Sequence, residues 1–435
     1  MLELFVAVNS QTTSITGTVA SPENEQDVCL AAEDFVENLF QKFARRYIKT
    51  SYGDSFMKDR VASPWNAFFF LSLLSYQAEG SVRNEYLQLL ELPVDKTEIA
   101  KAGYGKHWNA VAKHLNMKMK IFVRSSIALK PDFVELGTQI LEAEIERDNK
   151  MQNYRDRVFV AINNWVKAQL NVEPLFDQDD VGLDTDVIVV NTIKFARPWK
   201  KPFVTSDTTS RSFYLLDSFN NKVPPKNVPT MHISGRFRHG QLPDLRATFV
   251  ELPFRVRNCA DDPISLFLIR PDNPDLIEWS LNDFGNLNVN SLLTSTEDDI
   301  DLYLPKFSFV QKNKIKVPNL QNIVFQVGGR RSQFFPNFFS IQECMTIRET
   351  ISVVVNETGY FLEESTGLTY NPDYLVSNRQ ERSVPSPVPF GMNYPFIAII
   401  GVKGKSLNPL LVTKFPGRIF VDKLEDPTHY ILKHS

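Results

Sequence analysis

An α+β fold with large, mostly antiparallel sheets is predicted by three features of the chain. Helical periodicity is confined to the part before Leu170, apolar β runs separated by turns begin at Val187, and the two never alternate as β-α-β units. In the segment "AAEDFVENLFQKFARRY", from Ala31, residues Phe35, Leu39 and Phe43 recur at i, i+4 and i+8, one face of a helix. "VASPWNAFFFLSLLSYQAEG" is apolar on every face from Ala67 to Leu74, the pattern of a helix buried in mid-domain, and Ser63-Pro64 suits its first turn. "KTEIAKAGYGKHWNAVAKHLN" and "VFVAINNWVKAQL" also read as helices. Strands are expected in "VIVVNTIKF", "RATFVELPF", "ISLFLIR", "LYLPKFSFV", "ISVVV" and the apolar return at Tyr394–Ile400. No internal repeat, heptad or low-complexity tract interrupts this order.

Composition limits the classes of function. Of 435 residues 43% are hydrophobic and 33 are Phe, enough to fill a sizeable core. A net charge of −3 gives no general attraction to nucleic acid, so only local charge matters. Cys29, Cys259 and Cys344 are odd in number and lack metal-site spacing, so buried thiols are expected. No apolar run is long enough for a membrane span. The N-terminus is apolar only from Leu4 to Val8 and has no basic lead, so no secretory signal is read there. Either the chain is not exported or its signal lies outside this sequence. The one glycosylation sequon, Asn356-Glu357-Thr358, falls inside an apolar β run, a poor acceptor setting.

Catalytic chemistry has no residues to stand on. HExxH, GxSxG and phosphate-cradling glycine loops are all missing, and no cofactor is expected. His232, His239 and Cys259 fit no metal-ligand spacing, so no metal site is expected either. One charge feature stands out. Lys96, Lys101, Lys106, Lys113, Lys118, Lys120 and Arg124 occur with a single acid, Glu98. Two readings stay open: a solvated face, or a docking strip for a sulfated polysaccharide or other polyanion through Lys101, Lys106, Lys113, Lys118 and Lys120.

Several segments in order resemble the serpin family. Ser63 and Pro64 resemble its Ser-Pro-x-Ser motif, and Ile162, Asn163, Trp165 and Val166 its Ile-Asn-x-Trp-Val. Asn191, Trp199 and Phe203 fall in register with its Asn…Trp…Phe block. Val228, Pro229, Met231, Gly235, Phe237 and Glu251-Leu252-Pro253 follow another block, and Leu304–Phe307 a further signature. The resemblance implies helices packed around three mostly antiparallel sheets and an exposed reactive centre loop near residues 359–390. It divides the chain into a polar extension (1–28), a serpin domain (29–420) and a tail (421–435). It also implies an extracellular setting and a protease as partner.

In such proteins the segment before the last strands is a loop that a protease cuts and that then inserts into a sheet. The family's hinge keeps small residues after Asn-Glu-x-Gly. Here Asn356, Glu357 and Gly359 are kept, but Tyr360, Phe361, Leu362, Glu363 and Glu364 replace the small residues. The inward set on insertion is Tyr360, Leu362, Glu364 and Thr366. Tyr360 is expected to overpack, by about 1–3 kcal/mol. Glu364 is expected to bury a carboxylate, by several kcal/mol. Candidate scissile bonds are Asp373–Tyr374 at the family's position, the bond after Arg379, and Arg382–Ser383 in a Pro- and Ser-rich excess. Where the sheet opens, the motif's second serine is Asn66 and a usual histidine is Glu349. Asn66 can donate to Glu349, which would make a replacement pair. The sequence thus reads as a serpin that has lost protease trapping and serves as a binding, carrier or structural protein; the alternative is an active inhibitor of a serine or cysteine protease.

Overall fold

The computed structural model describes residues 22–53, 60–112, 114–125, 128–148, 155–170, 187–215, 224–256, 262–273, 287–316, 346–362, 387–415, 417 and 420. The N-terminal part contains helices α1 (Pro22–Gly53), α2 (Pro64–Gln77), α3 (Gly80–Leu89), α4 (Thr97–Ala112), α5 (Pro131–Glu135) and α6 (Arg155–Leu170), with short strands β1 (Arg60–Ala62), β2 (Asn116–Arg124) and β3 (Glu144–Asp148) between them. Twelve further strands follow: β4 (Val187–Pro198), β5 (Thr209–Phe213), β6 (Lys226–Leu242), β7 (Ala247–Pro253), β8 (Ile264–Pro271), β9 (Thr296–Pro305), β10 (Phe307–Lys316), β11 (Thr346–Val355), β12 (Gly359–Leu362), β13 (Val388–Gly391), β14 (Phe396–Lys403) and β15 (Leu407–Phe415). Helix α1 begins inside the span expected as a polar extension, and residues 421–435 lie outside the described residues.

Helix α2 is buried at ten of its fourteen positions, with Asn66, Ala67, Phe70 and Leu71 half-buried, as a nearly all-apolar sequence requires. Ser63 caps it by accepting from the Asn66 amide (3.2 Å), and Pro64 occupies the first turn, where its missing N–H costs nothing. Its buried hydroxyls are satisfied locally, Ser72 donating to Phe68 O (2.8 Å) and Ser75 to Ser72 O (2.7 Å). Around it Phe40, Phe43, Trp65, Phe68, Phe69, Tyr104 and Trp108 form one aromatic core, with Trp65 stacked on Trp108 at 4.6 Å. Helices α1 and α4 approach to backbone contact at Gly103, where a Cβ would lie 2.2 Å from Ala32 O.

The strands form two sheets. One is six-stranded, in the order β10-β11-β12-β4-β2-β3. The other is nine-stranded, in the order β1-β15-β14-β8-β7-β6-β9-β13 with β5 on β6. Of the three sheets expected, two run together because β6 is long enough to be shared. Its first residues pair with β5, its middle with β9 and its end with β7. All pairs are antiparallel except β2–β3 and β13–β9. Strands β14 and β15 are buried on both faces. Phe396, Ala398 and Ile400 face the main core, while Ile397 and Ile399 face a second one with Phe249 and Phe267. That two-sided burial explains the unbroken apolar run in the sequence.

Candidate functional site

The segment expected as an exposed loop from Gly359 to Phe390 is strand at both of its ends. Gly359–Leu362 is β12, lying between β11 and β4 and antiparallel to both. Val388–Gly391 is β13, paired with β9. Only the stretch between remains a candidate loop.

The entry to β12 is a tight turn built by Asn356. Its Oδ1 accepts from the Thr358 amide (2.9 Å), the Thr358 hydroxyl (2.7 Å) and the Gly359 amide (3.3 Å). Its own amide donates to Gly359 O (3.1 Å). Asparagine suits this place because its short side chain can mimic a backbone turn. Gly359 then passes the end of β4 so closely that a Cβ would lie 2.3 Å from Arg197 O. The kept Asn and Gly of the hinge therefore have separate physical tasks, turning the chain and letting it slip against β4.

Tyr360 points inward, as its parity predicts, but it does not overpack. It is 1% exposed, with its ring edge-on to Phe195 (6.1 Å) and its hydroxyl in a hydrogen bond with Thr413 Oγ1 on β15 (3.2 Å). Burial pushes its phenol up to about 12, the Thr413 bond offsetting only part of that. The expectation that a tyrosine is too large here is thus corrected: two partners, one for the ring and one for the hydroxyl, accommodate it. Phe361 faces the opposite way and is half-buried. Beside Tyr360 on β4, buried Arg197 donates to His114 Nδ1 (3.3 Å).

Trp199 and Glu357 tie the turn to the body. The Trp199 ring stacks on Phe254 (5.0 Å), its Nε1 donates to Asn356 O (2.9 Å) and its amide to Thr358 O (3.0 Å). The buried Glu357 carboxylate accepts from Thr208 Oγ1 (2.8 Å) and from Lys306 Nζ (2.9 Å). Burial would raise its pKa, but bonds from Lys306, its own backbone and Thr208 outweigh burial and hold it below the usual carboxylate value.

Below β12 each flanking strand has one paired edge among the described residues. Val187–Lys194 of β4 pairs with β2 on one edge, and Thr346–Ser352 of β11 pairs with β10 on one edge. Among the described residues nothing pairs with their facing edges. Underneath, Asn191 Nδ2 donates to Asn66 Oδ1; the Glu349 side chain, and with it the Asn66–Glu349 pair, lies outside the described residues. The Glu349 backbone lies across from Asn313 on β10. Asn191 Oδ1 is buried and has no hydrogen-bond partner among the described residues. Ser63, besides capping α2, donates to Leu410 O on β15 (2.9 Å).

The remaining expected residues divide as follows. Glu364, Asp373, Tyr374, Arg379, Arg382 and Ser383 lie outside the described residues, as does Lys113. The other lysines of the strip are split between α4 and β2. Lys101 bonds Asp132 (2.8 Å) and Glu135 (2.5 Å), Lys106 bonds Glu33, and Lys120 bonds Glu144 (3.2 Å) and Glu146 (2.9 Å). Lys118 is exposed. Carboxylates distant in sequence thus neutralise much of the strip. His232 and His239 face Asp301 (3.1 Å) and Asp298 (2.5 Å), each a pairwise contact. The contributions of Thr208, Lys306 and Thr413 carried no sequence signal.

A family model described as Serpin (serine protease inhibitor) matches residues 38–412. Antitrypsin from Bombyx mori is 24% identical over 383 residues, covering 85% of this chain and 90% of that protein. Among solved structures, Serpin48, described as a highly specific serpin of the insect Tenebrio molitor, superposes with a TM-score of 0.67. It is 20% identical and covers 88% of this chain and 98% of its own. Native protease nexin-1 with heparin gives a TM-score of 0.67 at 19% identity, covering 87% of this chain and 98% of its own.

Proposed function

The chain belongs to the serpin family, and from that premise we propose that proteases cut it as a substrate without being trapped, and that it acts as a binding, carrier or structural protein. The observation that carries this reading is the register of β12. Tyr360 lies across from Arg197 and Val355. If insertion continued in the same register, residue 364 would come across from Ile193 on β4 and Ile351 on β11. Its side chain would then point inward, on the face where Ile193 packs against the main core. Neither neighbour offers Glu364 a hydrogen bond or a positive charge. Burying that carboxylate costs several kcal/mol, against a fully hydrated loop. Insertion stalls after Leu362, and an acyl-enzyme has time to hydrolyse.

The second reading, an active inhibitor, has its own support. The hinge is already threaded, the strand edges below it are free among the described residues, and the continued register brings Thr366 beside Asn191. A threonine hydroxyl there would supply the donor that the buried Asn191 Oδ1 lacks. A polysaccharide partner, such as the heparin bound to nexin-1, has less support, because Lys101, Lys106 and Lys120 already hold carboxylates.

Incubation with trypsin separates the two readings. Cleaved protein without a covalent complex is expected on a denaturing gel, and cleavage should raise the melting temperature little. In Glu364→Thr the cleaved form should gain markedly in melting temperature. A denaturant-resistant, one-to-one complex with the wild type would overturn the proposal.

A further inference from the structure

The sequence sets the sequon Asn356-Glu357-Thr358 inside an apolar β run, but the fold places it elsewhere. Strand β11 ends at Val355 and β12 begins at Gly359, so the sequon is the whole connection between them. Its third residue, Thr358, is exposed. The asparagine is held entirely through atoms other than its amide nitrogen. Oδ1 accepts three bonds from Thr358 and Gly359, the backbone amide donates to Gly359 O, and the backbone carbonyl accepts from Trp199 Nε1. Nδ2 donates to none of the described residues, and it is not among the buried polar atoms that lack a partner.

We propose that Asn356 is an N-glycosylation acceptor and that the folded protein carries its glycan on the β11–β12 turn. The donor class is an oligosaccharide joined through N-acetylglucosamine to a lipid pyrophosphate. Nδ2 forms a bond to C1 of that sugar, the C1–oxygen bond to pyrophosphate breaks, Nδ2 gives up one proton and the lipid pyrophosphate leaves. The product amide keeps its oxygen and one N–H. Every bond that shapes the turn therefore survives the modification, and the sugar projects from a surface turn, where such acceptors are found. Nothing in this inference depends on whether the loop traps a protease.

The test is expression of the full chain behind a secretion signal in cultured insect cells. The peptide containing Asn356 is then mapped in both the secreted and the cell-retained fractions. Peptide-N-glycosidase F converts a glycosylated asparagine to aspartate. That conversion is expected at position 356 in the wild type and in Thr358→Ser, and it should be lost in Thr358→Ala. The secreted, glycosylated protein should show the same denaturation midpoint before and after enzymatic removal of the sugar. Unmodified Asn356 in both fractions would overturn the proposal, and so would a glycan found only on retained, misfolded chain.

Discussion

Tyr360 holds the hinge in the sheet, and its removal tests that directly. Among the described residues strand β12 has ladders over Gly359–Leu362 against β4 and over Tyr360–Leu362 against β11. Its one deeply buried side chain among the described residues is Tyr360, packed on Phe195 and bonded to Thr413. Truncating a buried aromatic to alanine costs about 3–5 kcal/mol. If β12 leaves without unfolding the rest, that cost falls on the local equilibrium between hinge in and hinge out. At about 1.4 kcal/mol per tenfold, the opening constant should rise by about two to three and a half orders of magnitude in Tyr360→Ala. Tyr360→Phe loses only the shared hydroxyl bond, about 0.5–1.5 kcal/mol, and should open about tenfold at most. Amide hydrogen exchange resolved over 359–362 reads both changes, with β14 and β15 as internal references. Unchanged protection of β12 in Tyr360→Ala would refute the anchoring role. Equal loss across β12, β14 and β15 would refute the claim that the hinge opens separately.

Two pH-dependent outcomes follow from the electrostatics. Glu357 has a folded pKa below its ordinary 4.5, so its stabilisation is fully present above that value and is lost as pH falls through the folded pKa. Urea titrations of wild type and Glu357→Gln should differ by about 1–3 kcal/mol at neutral pH and converge in acid. His107, buried among Phe40, Phe68 and Phe69, is pushed by burial from 6.5 down to about 4. The unfolded chain therefore takes up a proton first as pH falls. Stability should drop by about 3 kcal/mol between pH 6.5 and 4, and in His107→Phe this part of the slope should vanish.

The sequence by itself determined most of the scaffold. The buried α2 with its Ser63-Pro64 start, the apolar runs of β4, β7, β8, β11 and β14, and the motif order that marks the family are all local patterns. Period, capping and continuous apolarity survive as strings because they arise between residues a few positions apart. The inward parity of Tyr360 was legible for the same reason. Whether a tyrosine fits there was not, because its answer lies with Phe195 and Thr413, far away in the chain. The same holds for the lysine strip, which looks bare between Lys96 and Arg124 until Glu33, Asp132, Glu135, Glu144 and Glu146 arrive beside it. It holds too for Asn66, whose amide partner turned out to be Asn191. Side-chain direction is a property of one strand, whereas packing room and charge balance belong to whichever strands and helices meet. Only the tertiary structure brings those together, and in doing so it placed the first residues of the expected loop, Gly359–Leu362, in a sheet as an anchored strand.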